Sequence, residues 1–144
     1  MKDRLFLTQT DTTMGFVSQD SSKIDHAKRR LPNKHYIRVV NSLETLKSFT
    51  RVPSYHKNKV RRAKQRTFIM PNGLSFRVVK DTEHNLLLDR MQWLYSSSAN
   101  LSGAEYDELY AKENAEVVIS FSSKKEGSAS TIYLLAQRRM RLIR

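Results

Sequence analysis

The clearest structural signal in this 144-residue chain is the stretch at residues 66–79, RTFIMPNGLSFRVV. Two runs of apolar and β-branched residues, at residues 66–70 and 74–79, flank Pro71-Asn72-Gly73, a turn sequence typical of a hairpin. This pattern predicts two antiparallel strands. Because strand-like and helix-like segments alternate on both sides of this hairpin, we expect an α/β domain with a mixed sheet.

The other predicted elements are short. Strands are expected at residues 5–7, 35–40, 92–96, 117–121, 130–135 and 140–143, and helices at residues 21–30, 43–49, 55–64, 83–90 and 104–112. Ser21 or Ser22 can cap the first helix. Residues 122–128 indicate a loop. A chain of this length with 39% hydrophobic residues predicts one globular domain over residues 1–144.

Composition excludes several classes of protein. With no cysteine, disulfide scaffolds, thiolate metal sites and a cysteine nucleophile are ruled out. No apolar run approaches the ~20 residues of a membrane span. The first residues are too mixed for a signal peptide, so we expect a cytoplasmic protein. The net charge of +12 and the pI of about 10.2 favour an anionic partner.

The positive charge is concentrated in one segment. Residues 45–80 contain ten basic and no acidic residues, whereas residues 81–116 contain two basic and eight acidic ones. Such a segment predicts contacts with a phosphate backbone, although a solvated face is the alternative interpretation. Beyond Tyr55 there is little aromatic interleaving among these cations, so the sequence does not predict base stacking on single strands. No clean apolar face accompanies them, so lipid binding is not predicted either. The proposed RNA-binding residues are Lys57, Lys59, Arg61, Arg62, Lys64 and Arg66.

Four polar clusters lie at or beside the ends of predicted strands, where α/β sheets bind ligands. Hydroxyl and backbone donors at such ends can approach a phosphate closely. Each cluster alone also fits an ordinary turn, a helix cap or a helix C-terminus. Together with Arg77 and Arg144 they predict an anion site; they are Thr10-Asp11-Thr12, Lys28-Arg29-Arg30 with Lys34, Ser98-Ala99-Asn100 and residues 128–131.

Motifs for other chemistries are missing from the sequence. It contains no Gly-x-x-x-x-Gly-Lys-Ser/Thr loop, no Gly-x-Gly-x-x-Gly fingerprint and no Gly-x-Ser-x-Gly elbow. The four histidines lack the short spacing of metal ligands, so no protein-bound metal is expected. An enzyme built from these residues would act by positioning and positive charge rather than by a covalent nucleophile.

The order of the clusters resembles a known family. Ser97-Ser98-Ala99-Asn100-Leu101-Ser102-Gly103 is similar to the Ser-Ala-Asn-x-Ser-Gly signature of the YrdC/TsaC family. Residues 10–15 resemble that family's Thr-Asp-Thr-x-Tyr-Gly segment, and Lys28-Arg29-Arg30 with the downstream Lys34 resembles its Lys-x-Arg-Pro segment. Arg77-Val78 resembles its Val-Arg-Val strand, and Ser130-Thr131-Ile132 its Ser-Thr-Ile strand. Leu142-Ile143-Arg144 resembles its closing Leu-Arg.

The resemblance implies a YrdC-like twisted mixed sheet with flanking helices and a concave basic cavity. It implies a nucleotidyltransferase that makes threonylcarbamoyl-AMP and pyrophosphate from L-threonine, bicarbonate and ATP. The product serves N6-threonylcarbamoyl modification of adenosine 37 in tRNA. The implied partners are the tRNA threonylcarbamoyl-transferase subunits and, as in some relatives, tRNA or double-stranded RNA. Mg²⁺ would be bound mainly through the ATP phosphates.

The resemblance also implies residue roles. Lys28 and Arg30 would be the catalytic cations and would bind nucleotide together with Ser98, Asn100, Ser130 and Arg144. Substrate would be bound by Thr10, Thr12, Lys34, Thr67 and Arg77, the last of these holding the threonine carboxylate.

The sequence departs from the family pattern in several places. Met14 replaces an aromatic residue, Leu31 is inserted before Pro32, and residues 60–66 replace a Gly-Pro segment. The N-terminal helix and strand usual in the family are not found before Leu5. The alternative function is therefore a non-catalytic double-stranded RNA-, tRNA- or ribosome-binding module on the same fold, and a nucleotide-binding regulator is a third candidate.

Overall fold

The computed structural model describes residues 2–31, 35–101, 103–120 and 128–144. The loop expected at residues 122–128 and the end of the strand expected at residues 117–121 fall largely outside them. The described strands are β1 (Phe6–Gln9), β2 (Met14–Ser18), β3 (Ile37–Val40), β4 (Arg66–Ile69), β5 (Ser75–Val78), β6 (Trp93–Ser98), β7 (Val117–Val118), β8 (Thr131–Leu135) and β9 (Met140–Leu142). The described helices are α1 (Ser21–Lys28), α2 (Leu43–Lys47), α3 (Lys57–Arg62), α4 (Thr82–Met91) and α5 (Glu108–Asn114).

The strands form one mixed sheet in the order β7-β1-β2-β6-β3-β5-β4-β8-β9. The hairpin predicted at residues 66–79 is present as β4 and β5, which pair antiparallel with Phe68 opposite Phe76. Its turn is closed by Gly73, whose φ of 87° suits glycine. The hairpin joins two halves of the sheet, because β5 pairs parallel with β3 and β4 pairs parallel with β8. The expected mixed α/β sheet with flanking helices is confirmed.

Strand β2 (Met14–Ser18) was not predicted from the sequence. The sequence predicts a polar loop after the first strand and no further element before the first helix, but residues 10–13 form a tight turn. The backbone N–H of Thr10 donates to the carbonyl of Thr13 at 3.0 Å, so the chain reverses and β2 pairs antiparallel with β1. Phe16 and Val17 of β2 are fully buried.

Helix boundaries follow aspartate caps that the sequence reasoning overlooked. Asp20, rather than Ser21 or Ser22, caps α1 by accepting from the Ser22 N–H at 3.0 Å. Asp107 caps α5, so this helix begins at Glu108 instead of residue 104. Helix α1 ends at Lys28, because Arg29 adopts a left-handed conformation with φ 49°. The helix expected at residues 55–64 is a 3-10 turn at Ser54–His56 followed by α3.

The core lies on both faces of the sheet. Alternating side chains of one strand enter different apolar clusters, as the two-residue period of a strand requires. Val40 packs with residues of α2 and α3, whereas its neighbour Val39 packs with Leu87 and Leu88 of α4. A third cluster joins β1 and β2 to Ile24 of α1. In the described part of the chain, no helix has the length and apolar character needed to cross a bilayer.

Candidate functional site

Seven of the predicted site residues line one cavity of about 230 Å³. They come from different elements: the turn between β1 and β2, the segment after α1, strand β5, the end of β6, the segment before β8 and the segment after β9. These residues are Thr10, Thr12, Arg30, Arg77, Ser98, Ser130 and Arg144. The wall also includes Thr13, His35, Tyr36, Ile37, Ser96, Ser97 and Ala129. The sequence had placed Ala129 in a predicted anion-binding cluster and Thr13 and Ser97 in motif segments, whereas His35, Tyr36, Ile37 and Ser96 had been assigned to no part of the site.

The threonine turn at residues 10–13 is built by its own side chains. The Thr10 hydroxyl donates to the Thr13 carbonyl at 2.7 Å and accepts from the N–H groups of Thr12 and Thr13, each at 3.2 Å. Gly15 allows this turn to approach β6. A Cβ at Gly15 would lie 2.9 Å from Thr10 Cγ2 and 3.1 Å from the Ser97 carbonyl oxygen, closer than ordinary contact.

Lys28 lies directly behind this wall. Lys28 is fully buried, with 1% exposure, and its Nζ donates to the Ser98 carbonyl at 2.7 Å. Nζ also lies 3.4 Å from Ser98 Oγ and 3.4 Å from Asn100 Oδ1. Burial, together with the neighbouring Arg30 charge, lowers the pKa of Lys28 to about 8. The ammonium group is therefore charged near neutral pH and held at a fixed position beside Ser98 and Asn100.

Arg30 is placed by an aromatic side chain. Its Cζ lies 5.4 Å from the centroid of the Tyr36 ring, a cation–π contact. The Tyr36 hydroxyl donates to Asp25 of α1, and burial together with this carboxylate raises the pKa of Tyr36 to about 12. Within the described structure, Nε of Arg30 is buried without a hydrogen-bond partner. A buried guanidinium donor without a partner at a cavity wall is suited to an anionic ligand.

Arg77 forms a buried ion pair that the sequence reasoning missed. Its Nε donates to both carboxylate oxygens of Asp11 at 3.1 and 3.0 Å, and both side chains are about 95% buried, with 4% and 5% exposure. Nη1 lies 3.5 Å from Thr67 Oγ1, and Thr67 Oγ1 is 2.7 Å from Ser130 Oγ. Arg144 donates to the Ser130 carbonyl at 2.8 Å. These contacts link four of the predicted site residues into one network.

His84 of α4 lies close to this ion pair. The ring is 1% exposed, and both ring nitrogens are buried without a partner among the described residues. Burial lowers the pKa of His84 to about 4; Arg77 also lowers it, while Asp11 and Asp81 act in the opposite direction. His84 is therefore neutral at pH 7 and packs against the site as an uncharged ring.

The predicted RNA-binding residues lie outside the cavity. Lys57, Lys59, Arg61 and Arg62 are on α3, and Lys64 and Arg66 lead into β4. All except the half-buried Lys57 are exposed, and none forms an ion pair with another described residue. The predicted substrate residue Lys34 lies outside the described ranges.

No family model matches the sequence. Over 140 residues the chain is 29% identical to the uncharacterized MG259 homolog of Mycoplasma pneumoniae, a match that covers 88% of this chain and 29% of that protein. The chain therefore spans less than a third of that relative.

Solved structures show the fold. A variant of P. abyssi Sua5 superposes with a TM-score of 0.82 at 19% identity, over 99% of this chain and 49% of Sua5. Sua5 complexed with L-threonine gives 0.79 at 19% identity, over 99% of this chain and 50% of Sua5. E. coli YciO superposes with a TM-score of 0.75 at 15% identity, over 99% of this chain and 83% of YciO. HypF in a phosphate- and nucleotide-bound form superposes with a TM-score of 0.78 at 13% identity, over 99% of this chain and 27% of HypF. The chain has a YrdC-like fold, as the sequence resemblance predicted.

Proposed function

We propose that this chain is a threonylcarbamoyl-AMP synthase. The observation that carries the proposal is that Arg30, Ser98 and Ser130 line one cavity of a YrdC-like fold, with Lys28 hydrogen-bonded to the Ser98 carbonyl. Two structural neighbours support it by what they bind: Sua5 was solved with L-threonine, and HypF with phosphate and nucleotide. The chain spans about half of Sua5, so we propose that this half of the fold is sufficient for the synthesis.

The proposed reaction has two steps. The threonine amine attacks bicarbonate carbon and forms a C–N bond, and loss of water leaves an N-carboxylate, the carbamate. A carbamate oxygen then attacks the α-phosphorus of ATP, and the bond from this phosphorus to the oxygen bridging to the β-phosphorus breaks. Pyrophosphate leaves with that electron pair. All three reactants are anionic or carry an anionic group, so cations are needed more than general acids.

The cavity residues match this requirement. Lys28 and Arg30 would offset the charge of the triphosphate and of the transition state, and the unpartnered Nε of Arg30 is ready to donate. Ser98, Asn100 and Ser130 would hydrogen-bond phosphate and carbamate oxygens. The Ser98 hydroxyl, which donates to Asn100 Oδ1, and the Asn100 amide, which donates to the Leu101 and Ala104 carbonyls, would exchange these partners for the ligand. Holding the reactants in line would itself supply several kcal/mol, within the range of about 7–11 kcal/mol that orientation can contribute.

The remaining residues would place threonine and the nucleotide. The turn formed by Thr10 and Thr12 would hold threonine or bicarbonate, beside Thr67 and, outside the described part, Lys34. Arg77 would bind the threonine carboxylate through Nη1, because its Nε and Nη2 are engaged by Asp11. Arg144 would contact the nucleotide.

Mg²⁺ would enter with the ATP and neutralise phosphate charge. Among the described residues, no group of three or more acidic or histidine side chains could hold a metal ion. The ion would therefore be coordinated chiefly by phosphate oxygens and water, which suits the preference of Mg²⁺ for few protein ligands.

The direct test is synthesis by the purified chain. Protein is incubated with ATP, L-threonine, bicarbonate and Mg²⁺, and threonylcarbamoyl-AMP is measured by mass spectrometry. We expect threonine-dependent product, and a loss of about 100-fold or more in Lys28→Ala and Arg30→Ala. Lys47→Ala changes an exposed lysine of α2 and serves as the matched control. A folded wild-type protein that yields no threonine-dependent product, alone or with transferase subunits, would overturn the proposal.

The second candidate is a non-catalytic RNA-binding module. It is favoured by the exposed cations of α3, such as Arg61 and Arg62, which form no ion pair within the described structure. Neutralising Arg61 and Arg62 should weaken RNA binding and reduce its salt dependence. Synthesis that survives this change would show that the two functions are separable.

A further inference from the structure

The sheet joins two acid-free segments that are far apart in sequence. Residues 45–80 contain ten basic residues and no acidic ones, and residues 128–144 contain four arginines and no acidic residue. Strand β4 of the first segment pairs in parallel with β8 of the second. One edge of the sheet therefore collects cations from both segments, which the linear sequence does not show.

A cavity of about 910 Å³ opens at this edge. One wall is formed by residues 50–55, a second by the turn between β4 and β5, and a third by the turn between β8 and β9. Its lining includes Arg51, Tyr55, Asn72, Gln137 and Arg138. We call it the Tyr55 groove. It lies beyond the end of β8, whereas Ser130 of the first cavity precedes that strand; five residues of β8 correspond to roughly 17 Å.

The walls of the Tyr55 groove are held in place by hydrogen bonds. The buried His56 ring places Nε2 at 2.9 Å from the Ala136 carbonyl, which ties the 3-10 turn to the β8–β9 turn. Asn72 Nδ2 donates to Thr50 Oγ1 at 2.7 Å, which ties the β4–β5 turn to the first wall. The groove is thus formed before any ligand arrives.

The groove contains an exposed aromatic ring and two arginines. Tyr55 is 66% exposed, and its ring packs edge-on against His56 at a centroid distance of 5.2 Å, which restricts its orientation. Arg51 and Arg138 are exposed, and neither pairs with a described acidic residue. An oriented, solvent-accessible ring and guanidinium groups in one groove can bind an unstacked base and its neighbouring phosphates.

The cationic surface continues past the Tyr55 groove. A second depression, of about 450 Å³, runs along α3 to the same β8–β9 hairpin and is lined by Lys59, Arg62, Lys64, Arg66 and Met140 among others. Two adjacent depressions that share one hairpin can follow a strand of several nucleotides, whereas a single small anion would need only one of them.

We propose that the Tyr55 groove binds single-stranded nucleic acid, with a base stacked on Tyr55 and its phosphates held by Arg51 and Arg138. The cations of α3 bind the neighbouring phosphates. This site is separate from the first cavity and does not depend on adenylate synthesis. Duplex recognition is not expected at Tyr55, because the bases of a duplex are already stacked on one another.

Binding is measured by fluorescence anisotropy with labelled 12-nucleotide oligo(U) and oligo(dT), which separate RNA from DNA as the ligand. Tyr55→Ala should weaken binding roughly 5- to 160-fold, the range that corresponds to loss of one stacked base, and Tyr55→Phe should retain it. Arg138→Ala should lower both the affinity and the slope of log K against log salt, by about 0.7 per lost phosphate contact.

Tyr106→Ala and Arg90→Ala are the matched controls, since both residues are exposed and lie in the acidic segment. They should bind as the wild type does, and circular dichroism should show that all variants are folded. Wild-type affinity in Tyr55→Ala, or equal loss in Tyr55→Phe, would overturn the proposal. Tighter binding of a 12-base-pair duplex that is insensitive to Tyr55 would also overturn it. Threonylcarbamoyl-AMP synthesis should be unchanged in Tyr55→Ala, so failure of one proposal is distinguishable from failure of the other.

Discussion

The buried His84 should make the stability of this protein fall in mild acid. Its pKa is about 4 in the folded chain, compared with about 6.5 for an unperturbed histidine. Between these values the unfolded chain binds more protons than the folded one. Stability contributed by the neutral ring is therefore complete above pH 6.5 and is lost as the pH falls toward 4. At about 1.4 kcal/mol per unit, the loss is at most about 3 kcal/mol.

The variant His84→Leu isolates this contribution. Both ring nitrogens of His84 are without a partner among the described residues, so removing them at pH 7 should leave the free energy of unfolding unchanged or raise it by about 1–2 kcal/mol. His56→Leu is the contrasting control. That buried ring is hydrogen-bonded to the Ala136 carbonyl, and its loss should cost about 1–3 kcal/mol.

The assay is urea unfolding followed by the fluorescence of Trp93, the one tryptophan of the chain. Free energies of unfolding are measured for wild type and His84→Leu at pH 7 and pH 4.5. Between pH 7 and pH 4.5, the free energy of unfolding of wild type should fall by about 2 kcal/mol or more relative to that of His84→Leu. An equal difference at both pH values would refute the reasoning, because it would mean that His84 titrates alike in both states.

Three further predictions concern the first cavity. Asp11→Asn leaves the buried guanidinium of Arg77 uncompensated and should lower the free energy of unfolding by about 3–5 kcal/mol in urea titrations; an unchanged midpoint would contradict the ion pair. Gly15→Ala places a methyl group 2.9 Å from Thr10 Cγ2 and should cost about 1–3 kcal/mol, seen as a lower Tm. The kcat/KM of threonylcarbamoyl-AMP synthesis should fall above pH 8, where Lys28 loses its proton, and Lys28→Arg, if active, should lack this decline.

Turn residues and alternating side chains predicted the elements that depend on contacts close in sequence. The hairpin at residues 66–79 was predicted because its turn residues and its alternating side chains agree. Strand β2 was missed because Thr10 and Thr13 look like loop residues, and only their side-chain and backbone hydrogen bonds show a tight turn. The cap of α1 was assigned to a serine instead of Asp20, and the start of α5 was placed at residue 104 instead of Glu108, because serines and aspartates compete as caps within a few residues.

The sequence indicated several residues that line the first cavity, but it did not indicate which side chains contact one another there. Small polar residues at strand ends indicated Ser98 and Ser130, and both line the first cavity. The partner of Arg77 is 66 positions away, at Asp11, and no sequence pattern specifies such a pair. The same holds for Tyr36, whose contact with Arg30 depends on where α1 ends relative to β3. The Tyr55 groove needs the β4–β8 pairing and has no counterpart in the linear sequence.

The two cationic regions differ in how their charges are held, and this difference matches what each is proposed to bind. In the first cavity Arg77 is fixed by Asp11, Arg144 donates to the Ser130 carbonyl, and Lys28 donates to the Ser98 carbonyl. These bonds restrict each cation to one position, as a reaction between three small ligands requires, because misplacement of a charge by about 1 Å can cost about 100-fold in rate. Around the Tyr55 groove, Arg51 and Arg138 have no ion-pair partner in the described structure. Such side chains can follow a phosphate backbone of any sequence, since affinity there depends on the number of counterions released rather than on exact geometry.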